Sequence, residues 1–287
     1  MANYIPTIRR RRLGTALRRL RDEAGLTTTE IGDRLGWSHS KVSRIETSRT
    51  PVTTVDVANL LAQYEIAGDE AEALLKLARE AKQHGWWHNF SEVLPEWFES
   101  YLGFEVEACR ISNFEPQVVP GLLQTEQYAT AVLGAHALAM TPDEMDRWVA
   151  LRQARQTRLT EKGEPLQLDV VIGEGALRQL IGGASVMRGQ LRQLTALGEL
   201  PNVTLRVLPF EAGTHPALNG AFVVLEFPDP EDPRIVYLDN LVGSLYLESI
   251  REVGLYRLAY QKLQDLALQP DESARLIVKL TEEITPA

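Results

Sequence analysis

The chain holds a single cysteine, Cys109, among 287 residues. One thiol closes no intrachain disulfide and builds no cysteine-based zinc site, and this usage fits a reducing cytoplasm. No apolar run approaches the roughly 20 residues of a membrane span. RRRRLGTAL at residues 9–17 has the charge of an export signal but not its apolar core, because Arg18, Arg19, Arg21, Asp22 and Glu23 interrupt it at once. Catalytic signatures are missing as well: there is no G-x-S-x-G, no P-loop and no H-E-x-x-H. The glycines of GEGALRQLIGG, residues 173–183, lack dinucleotide-binding spacing. Glu174 and Asp239 follow strand-like segments and form a conceivable carboxylate pair, although surface loops explain them as well. No enzyme, cofactor or metal is expected.

A hydrophobic content of 44% with mixed charge indicates a soluble globular protein, long enough for two domains. The net charge of −9 is unevenly spread: residues 1–50 carry +6 and the remainder −15. A basic head on an acidic body suits a polyanionic partner. Arg9 to Arg12 fit either a phosphate-gripping arm or a solvated helix face.

Helical spacing runs through residues 8–24, where Leu13, Ala16, Leu17, Leu20 and Ala24 share a face and Gly25 stops the helix. Thr27 or Thr28 can cap a second helix that Gly36 ends, and Ser38 can cap a third in which Val42 and Ile45 face inward. Two more helices precede residue 83. A third helix so joined to the second suits the DNA major groove, which admits one helix and offers a distinct donor and acceptor pattern for each base pair. Val42 and Ile45 anchor it; His39, Ser40 and Arg44 project from the other side. Thr28 and Thr29, at a helix N-terminus, can hold backbone phosphate.

LTTTEIGDRLGWSHSKVSRIE, residues 26–46, resembles the helix-turn-helix of the XRE family, the phage-repressor and Cro-like regulators. The resemblance implies base contacts from His39, Ser40 and Arg44, and phosphate or base contacts from Lys41 and Ser43. It places Thr28 where the family usually has Gln, Trp37 where a smaller apolar residue is usual, and Ser48 where Gly usually ends the helix. Glu46 looks like the family's acidic residue that holds local geometry.

Residues 84–92 read as a linker between domains at 1–83 and 93–287. Seven aromatics cluster at Trp86, Trp87, Phe90, Trp97, Phe98, Tyr101 and Phe104, as core and interdomain seam, with Trp86 and Trp87 as possible ligand or partner contacts. His84 and His88 stand four apart, a spacing that two-histidine metal sites use, but no third ligand is near and Gly85 weakens the helix. Helices are expected near 93–112, 124–138 and 142–161, the last opened by a capping box at Thr141. Beyond residue 166 come four strands at LQLDVVI, VTLRVLPF, GAFVVLEF and RIVYLDN, and helices at SVMRGQLRQLTAL, 249–267 and 271–283. The loop FEAGTHPALNGAF offers His215 and Asn219 to a pocket, although turn chemistry accounts for most of it. FEPQVVPGLLQTEQYATAVL, ELPNVTLRVLPFEAGTHPALNGAFVVLEFPDP and VYLDNLVGSLYLES resemble the large domain of uncharacterised function that follows the XRE module in many actinobacterial regulators, the WhiJ-like developmental regulators among them. That resemblance implies a role in transcription and a small acidic partner protein encoded nearby.

The fold class expected is a mainly α N-terminal helix-turn-helix domain of five helices plus an α+β C-terminal domain. The function expected is sequence-specific regulation of transcription from double-stranded DNA in the cytoplasm, by a homodimer whose body senses a small molecule or a protein. Helices within 124–161 are expected to contribute to the dimer. The alternative is an antitoxin-like protein that binds a small partner and regulates its own operon.

Overall fold

The computed structural model describes residues 7–82, 85–136, 140–240 and 243–284. The chain divides into two compact units, Met1–Asn89 with Pro95–Phe104, and Phe90–Leu94 with Glu105–Ala287. Residues 95–104 thus side with the N-terminal unit, on the far side of the 84–92 segment read as a linker.

Residues 7–82 of the first unit form α1 (Ile8–Glu23), α2 (Thr28–Leu35), α3 (His39–Glu46), α4 (Thr54–Gln63) and α5 (Gly68–Lys82). Each contributes apolar residues at helical spacing to one core, with Leu13 and Leu17 from α1, Ile31 from α2, Val42 and Ile45 from α3, Leu60 from α4 and Ala78 from α5. The arginine run belongs to this packing. Arg10 donates through Nε to the Ala81 carbonyl at 3.3 Å, and burial lowers its pKa. The Arg11 guanidinium lies 5.2 Å from the centre of the Phe104 ring. Arg10 and Arg11 are therefore held against this unit. Among the aromatics, Phe98, Tyr101 and Phe104 are buried, and Phe98 stacks on Tyr101 at 5.6 Å.

Helix α6 (Glu96–Glu107) ends earlier than the expected 112, and the chain passes at once into strand β1 (Arg110–Glu115). The amide of Cys109 already donates to Glu226 O, at 2.9 Å. Strands β2 (Gln167–Gly173), β3 (Val203–Leu208), β4 (Phe222–Glu226), β5 (Ile235–Asn240) and β6 (Gly243–Leu247) complete a mixed sheet of order β3-β2-β1-β4-β5-β6. The first three strands run parallel and the rest antiparallel, so β1 sits at the change of direction.

Helices α7 (Glu126–His136), α8 (Pro142–Gln156), α9 (Glu174–Arg178), α10 (Ala184–Gly198), α11 (Ile250–Leu266) and α12 (Pro270–Glu283) complete the second unit. Phe114, Val171, Phe222, Val224 and Val236 pack with Val253, Tyr260 and Leu263 of α11. Tyr260 donates its hydroxyl to Asp169 O at 2.7 Å. Strand alternation turns Asn113 and Glu115 of β1 away from Phe114, to the opposite face. Buried polar side chains elsewhere are held by specific bonds. Arg155 grips Glu105 with a two-toothed fork at 2.7 and 2.6 Å. Gln190 accepts from Thr125 N and donates to Leu123 O.

The outer edge of β3 is covered, since Ser273 Oγ accepts from Val207 N and Leu268 N donates to Val207 O, both at 2.9 Å. Strand β6 pairs on one side only among the described residues. No described helix is long and apolar enough to cross a membrane.

Candidate nucleic-acid interface

The α2–α3 pair is specified residue by residue. Thr27 opens α2 with a reciprocal cap: its Oγ1 accepts from Glu30 N at 3.2 Å, and Glu30 Oε2 accepts from Thr27 N at 2.8 Å. That bond from the Thr27 backbone is the main reason the Glu30 carboxyl sits below its ordinary pKa. Gly36 closes α2 at φ 65°, the left-handed conformation that glycine takes without a Cβ clash. Ser38 opens α3 by accepting from Lys41 N at 3.2 Å. Gly32 lets the two helices meet, because a Cβ there would stand 2.7 Å from the Trp37 carbonyl oxygen.

Beneath α3 lies a buried ion pair. Arg21 Nε and Nη2 hold Glu46 Oε1 and Oε2 at 2.7 and 3.0 Å, and Nη1 reaches the Leu26 carbonyl at 2.7 Å. Each side chain also satisfies the other's charge, which a burial this deep requires. Arg21 thereby ties α3 to α1 through Glu46, and the end of α1 to the start of α2 through the Leu26 carbonyl. Ser48 takes φ 58° past the end of α3, a strained value for a residue with a Cβ, and its hydroxyl donates to Arg10 O at 2.8 Å.

With Val42 and Ile45 turned inward, the outer surface of α3 carries His39, Ser43 and Arg44, all exposed, and Ser40, half-buried. Ser40 and Ser38 share a hydroxyl contact at 3.1 Å. Thr47, absent from the sequence expectation, is exposed on the same face, four residues beyond Ser43, whose carbonyl accepts its hydroxyl at 2.7 Å. The helical period that selected Ser40 and Arg44 also selects Thr47. Thr28, half-buried, and Thr29, exposed, form the first turn of α2, where the helix dipole favours an anion.

Lys41 points elsewhere. Its Nζ lies 2.9 Å from Asp56 Oδ1 in α4 and 3.6 Å from the centre of the Trp37 ring. Burial raises the Asp56 carboxyl, but bonds from Lys41 and Thr53 outweigh it and hold the group below its ordinary pKa. The unusual Trp37 is thus the platform for a cation that joins α3 to α4.

The other candidate residues are dispersed. Trp86 and Trp87 meet edge to face at 6.1 Å, with Trp86 exposed. His88 is exposed, and His84 lies outside the described residues. His215 accepts from Ala217 N through Nδ1 at 3.3 Å and sets its ring edge-on to Phe114, while Asn219 is exposed; local turn bonding accounts for the histidine. Glu174 is buried, accepting from Arg178 Nε and Phe210 N. Strands β1 and β4 separate it from Asp239, about 14 Å at ordinary strand spacing, so the conceivable carboxylate pair is not formed.

Fold and surface together define a helix-turn-helix DNA-binding regulator with an α+β domain appended. Residues 12–74 match the family model described as a helix-turn-helix domain, and residues 98–279 match the one described as Domain of unknown function (DUF5753). The second match spans more than half of the chain, which therefore belongs to that family. No curated protein and no solved structure matches the chain.

Proposed function

We propose that the protein is an XRE-type, dimeric, sequence-specific transcriptional regulator of actinobacterial kind, whose C-terminal domain responds to a small molecule or a protein. The observation that carries this reading is the outer face of α3. His39, Ser40, Ser43 and Arg44 stand together on a helix capped at both ends and anchored by the Arg21–Glu46 pair. Arg44 supplies the fork that matches the O6 and N7 edge of guanine; His39 and the serines donate or accept as the base requires. Thr28 and Thr29 fix the register on phosphate. One such helix buries little surface, so useful specificity calls for two half-sites about 34–36 Å apart, or a multiple of that, and a two-fold protein.

The body binds rather than catalyses, and acts in the cytoplasm. No motif of a catalytic class is present, and the Glu174 carboxylate is committed to Arg178 and to Phe210 N. A genome-wide pull-down of DNA bound to the full chain tests the whole reading. Several sites that share an inverted repeat support it. A single site, at the protein's own gene, favours the antitoxin-like alternative with a small acidic partner. Absence of enrichment at any sequence overturns the DNA-reading role of the free protein.

A further inference from the structure

The proposed function requires a dimer, and the following inference rests on that reading. Helix α11 crosses one face of the sheet with Val253, Tyr260 and Leu263 buried. Its outward side mixes charged residues with apolar ones. Leu255 is 60% exposed, Leu258 50% and Leu266 40%, with Ile250 at its start 93% exposed. The three leucines fall within about 80° of one another at 100° per residue, and apolar side chains so gathered on an exposed helix face mark a contact surface. Helices α7 and α8, where the sequence pointed for dimerisation, differ. α7 turns outward Glu126, Gln127, Thr130 and Gly134, and α8 turns outward Asp143, Asp146 and Arg147, while Val132, Leu133, Trp148 and Val149 are buried.

Charge selects the occupant of the α11 face and its register. At 100° per residue, Arg251, Leu258 and Asp265 fall in one line, seven residues apart, and Leu255 and Lys262 in the line beside it. Arg251, Lys262 and Asp265 are exposed and make no ion pair among the described residues. A parallel pair of such helices would set Arg251 against Arg251 and Lys262 against Lys262. An antiparallel pair that matches Leu255 with Leu258 would confront Arg251 with Lys262. An antiparallel pair centred on Leu258 avoids both conflicts. It places Leu258 on its own copy, Arg251 opposite Asp265 twice, and the Lys262 stem over Leu255, with the exposed Gly254 leaving room for close approach. The surface is self-complementary in the way a two-fold interface demands.

We infer that the protein dimerises through α11, packed antiparallel against α11 of a second copy on a two-fold axis at Leu258. The leucines supply the apolar contact, and the Arg251–Asp265 pairs fix orientation more than strength.

Sedimentation of the full chain across micromolar concentrations tests this, with circular dichroism as the control for folding. Leu258→Glu sets two carboxylates on the axis and should weaken dimerisation about 100-fold or more. Arg251→Asp and Asp265→Arg should each weaken it about 10-fold, and the double variant should restore it to within a few-fold of the parent. A parent dimer that all four variants leave unchanged overturns the α11 assignment and spares the dimeric reading. Loss in both single variants with no rescue in the double overturns the antiparallel register. A parent that stays monomeric overturns the dimeric reading, and this interface with it.

Discussion

Removing one partner of the Arg21–Glu46 pair should loosen the DNA-binding unit and leave the other unit untouched. Both residues are 8% exposed, so Glu46→Ala strands a guanidinium out of water. Breaking a buried pair in this way costs about 3–5 kcal/mol. The structure sets the lower end of that range. After the substitution Arg21 keeps two of its bonds, from Nη1 to the Leu26 carbonyl and to Asp22 Oδ1. The expected loss is therefore about 3 kcal/mol. Replacing both partners, as Arg21→Met with Glu46→Leu, should recover most of it, because apolar packing of similar volume needs no desolvation. A further consequence concerns Tyr64, whose buried hydroxyl has no hydrogen-bond partner among the described residues. Burial first, and the Glu46 charge second, raise its pKa, so the phenol stays neutral in either chain. Native-state hydrogen exchange on the full chain is the suitable assay, since it reports opening segment by segment. Peptides from α1 to α4 should lose about 3 kcal/mol of protection while those from β1 to β5 keep theirs. A change below about 1 kcal/mol in α1 to α4 would show that the pair does not hold this unit together.

Three further outcomes follow from the geometry. Gly32→Ala drives a Cβ to 2.7 Å from the Trp37 carbonyl oxygen, so it should cost about 1–3 kcal/mol of stability and splay α2 from α3, seen as weaker DNA binding in a fluorescence titration; unaltered stability and affinity would count against the tight crossing. Lys41→Met removes the contacts to Asp56 and Trp37 but no phosphate contact, so the slope of log affinity on log salt should stay constant; a slope shallower by about 1 would place Lys41 on the DNA backbone. Burial, then the nearby Asp239 charge, push the Glu115 carboxyl up to about 8 against Arg152 and Asn113. The unfolded chain then gives up its proton near pH 4.5 while the folded chain keeps it, so stability falls as pH rises from about 4.5 to 8. Glu115 retains partial solvent exposure, which limits the fall to about 2 kcal/mol. Urea unfolding of Glu115→Gln should therefore show an advantage over the parent that widens between pH 5 and pH 8, and an advantage independent of pH would refute proton retention at Glu115.

The N-terminal unit was legible because its signals are local. Thr27 and Ser38 announce helix starts, Gly36 a stop, and Val42 and Ile45 an inward face; all five act as their types suggest. The capping box at Thr141 likewise marked the start of α8. Long-range pairing was not legible in the same way. RISNFE, which becomes β1, is short and half polar, and its neighbours are helical, so it read as the tail of a helix to 112. It is nevertheless the strand on which the sheet changes direction, with β2 on one side and β4 on the other. Strand β6 was missed for a related reason: GSLYL opens on glycine and serine and pairs with β5 alone among the described residues. The roles of Arg10, Arg11 and Lys41 also depended on distant residues, namely Ala81, Phe104 and Asp56, that no spacing rule connects to them. At the interface, periodicity found His39, Ser40 and Arg44 and the family resemblance added Ser43, but neither reached Thr47.

If the outer face of α3 reads base sequence, Arg44 should be its most discriminating member. Selection of bound duplexes from a randomised pool, run in parallel with the parent chain and Arg44→Ala, tests it most directly. The parent should select an inverted repeat, and the variant should lose preference at one base pair in each half-site, worth about 1–3 kcal/mol. An identical sequence preference in the two selections would contradict the account.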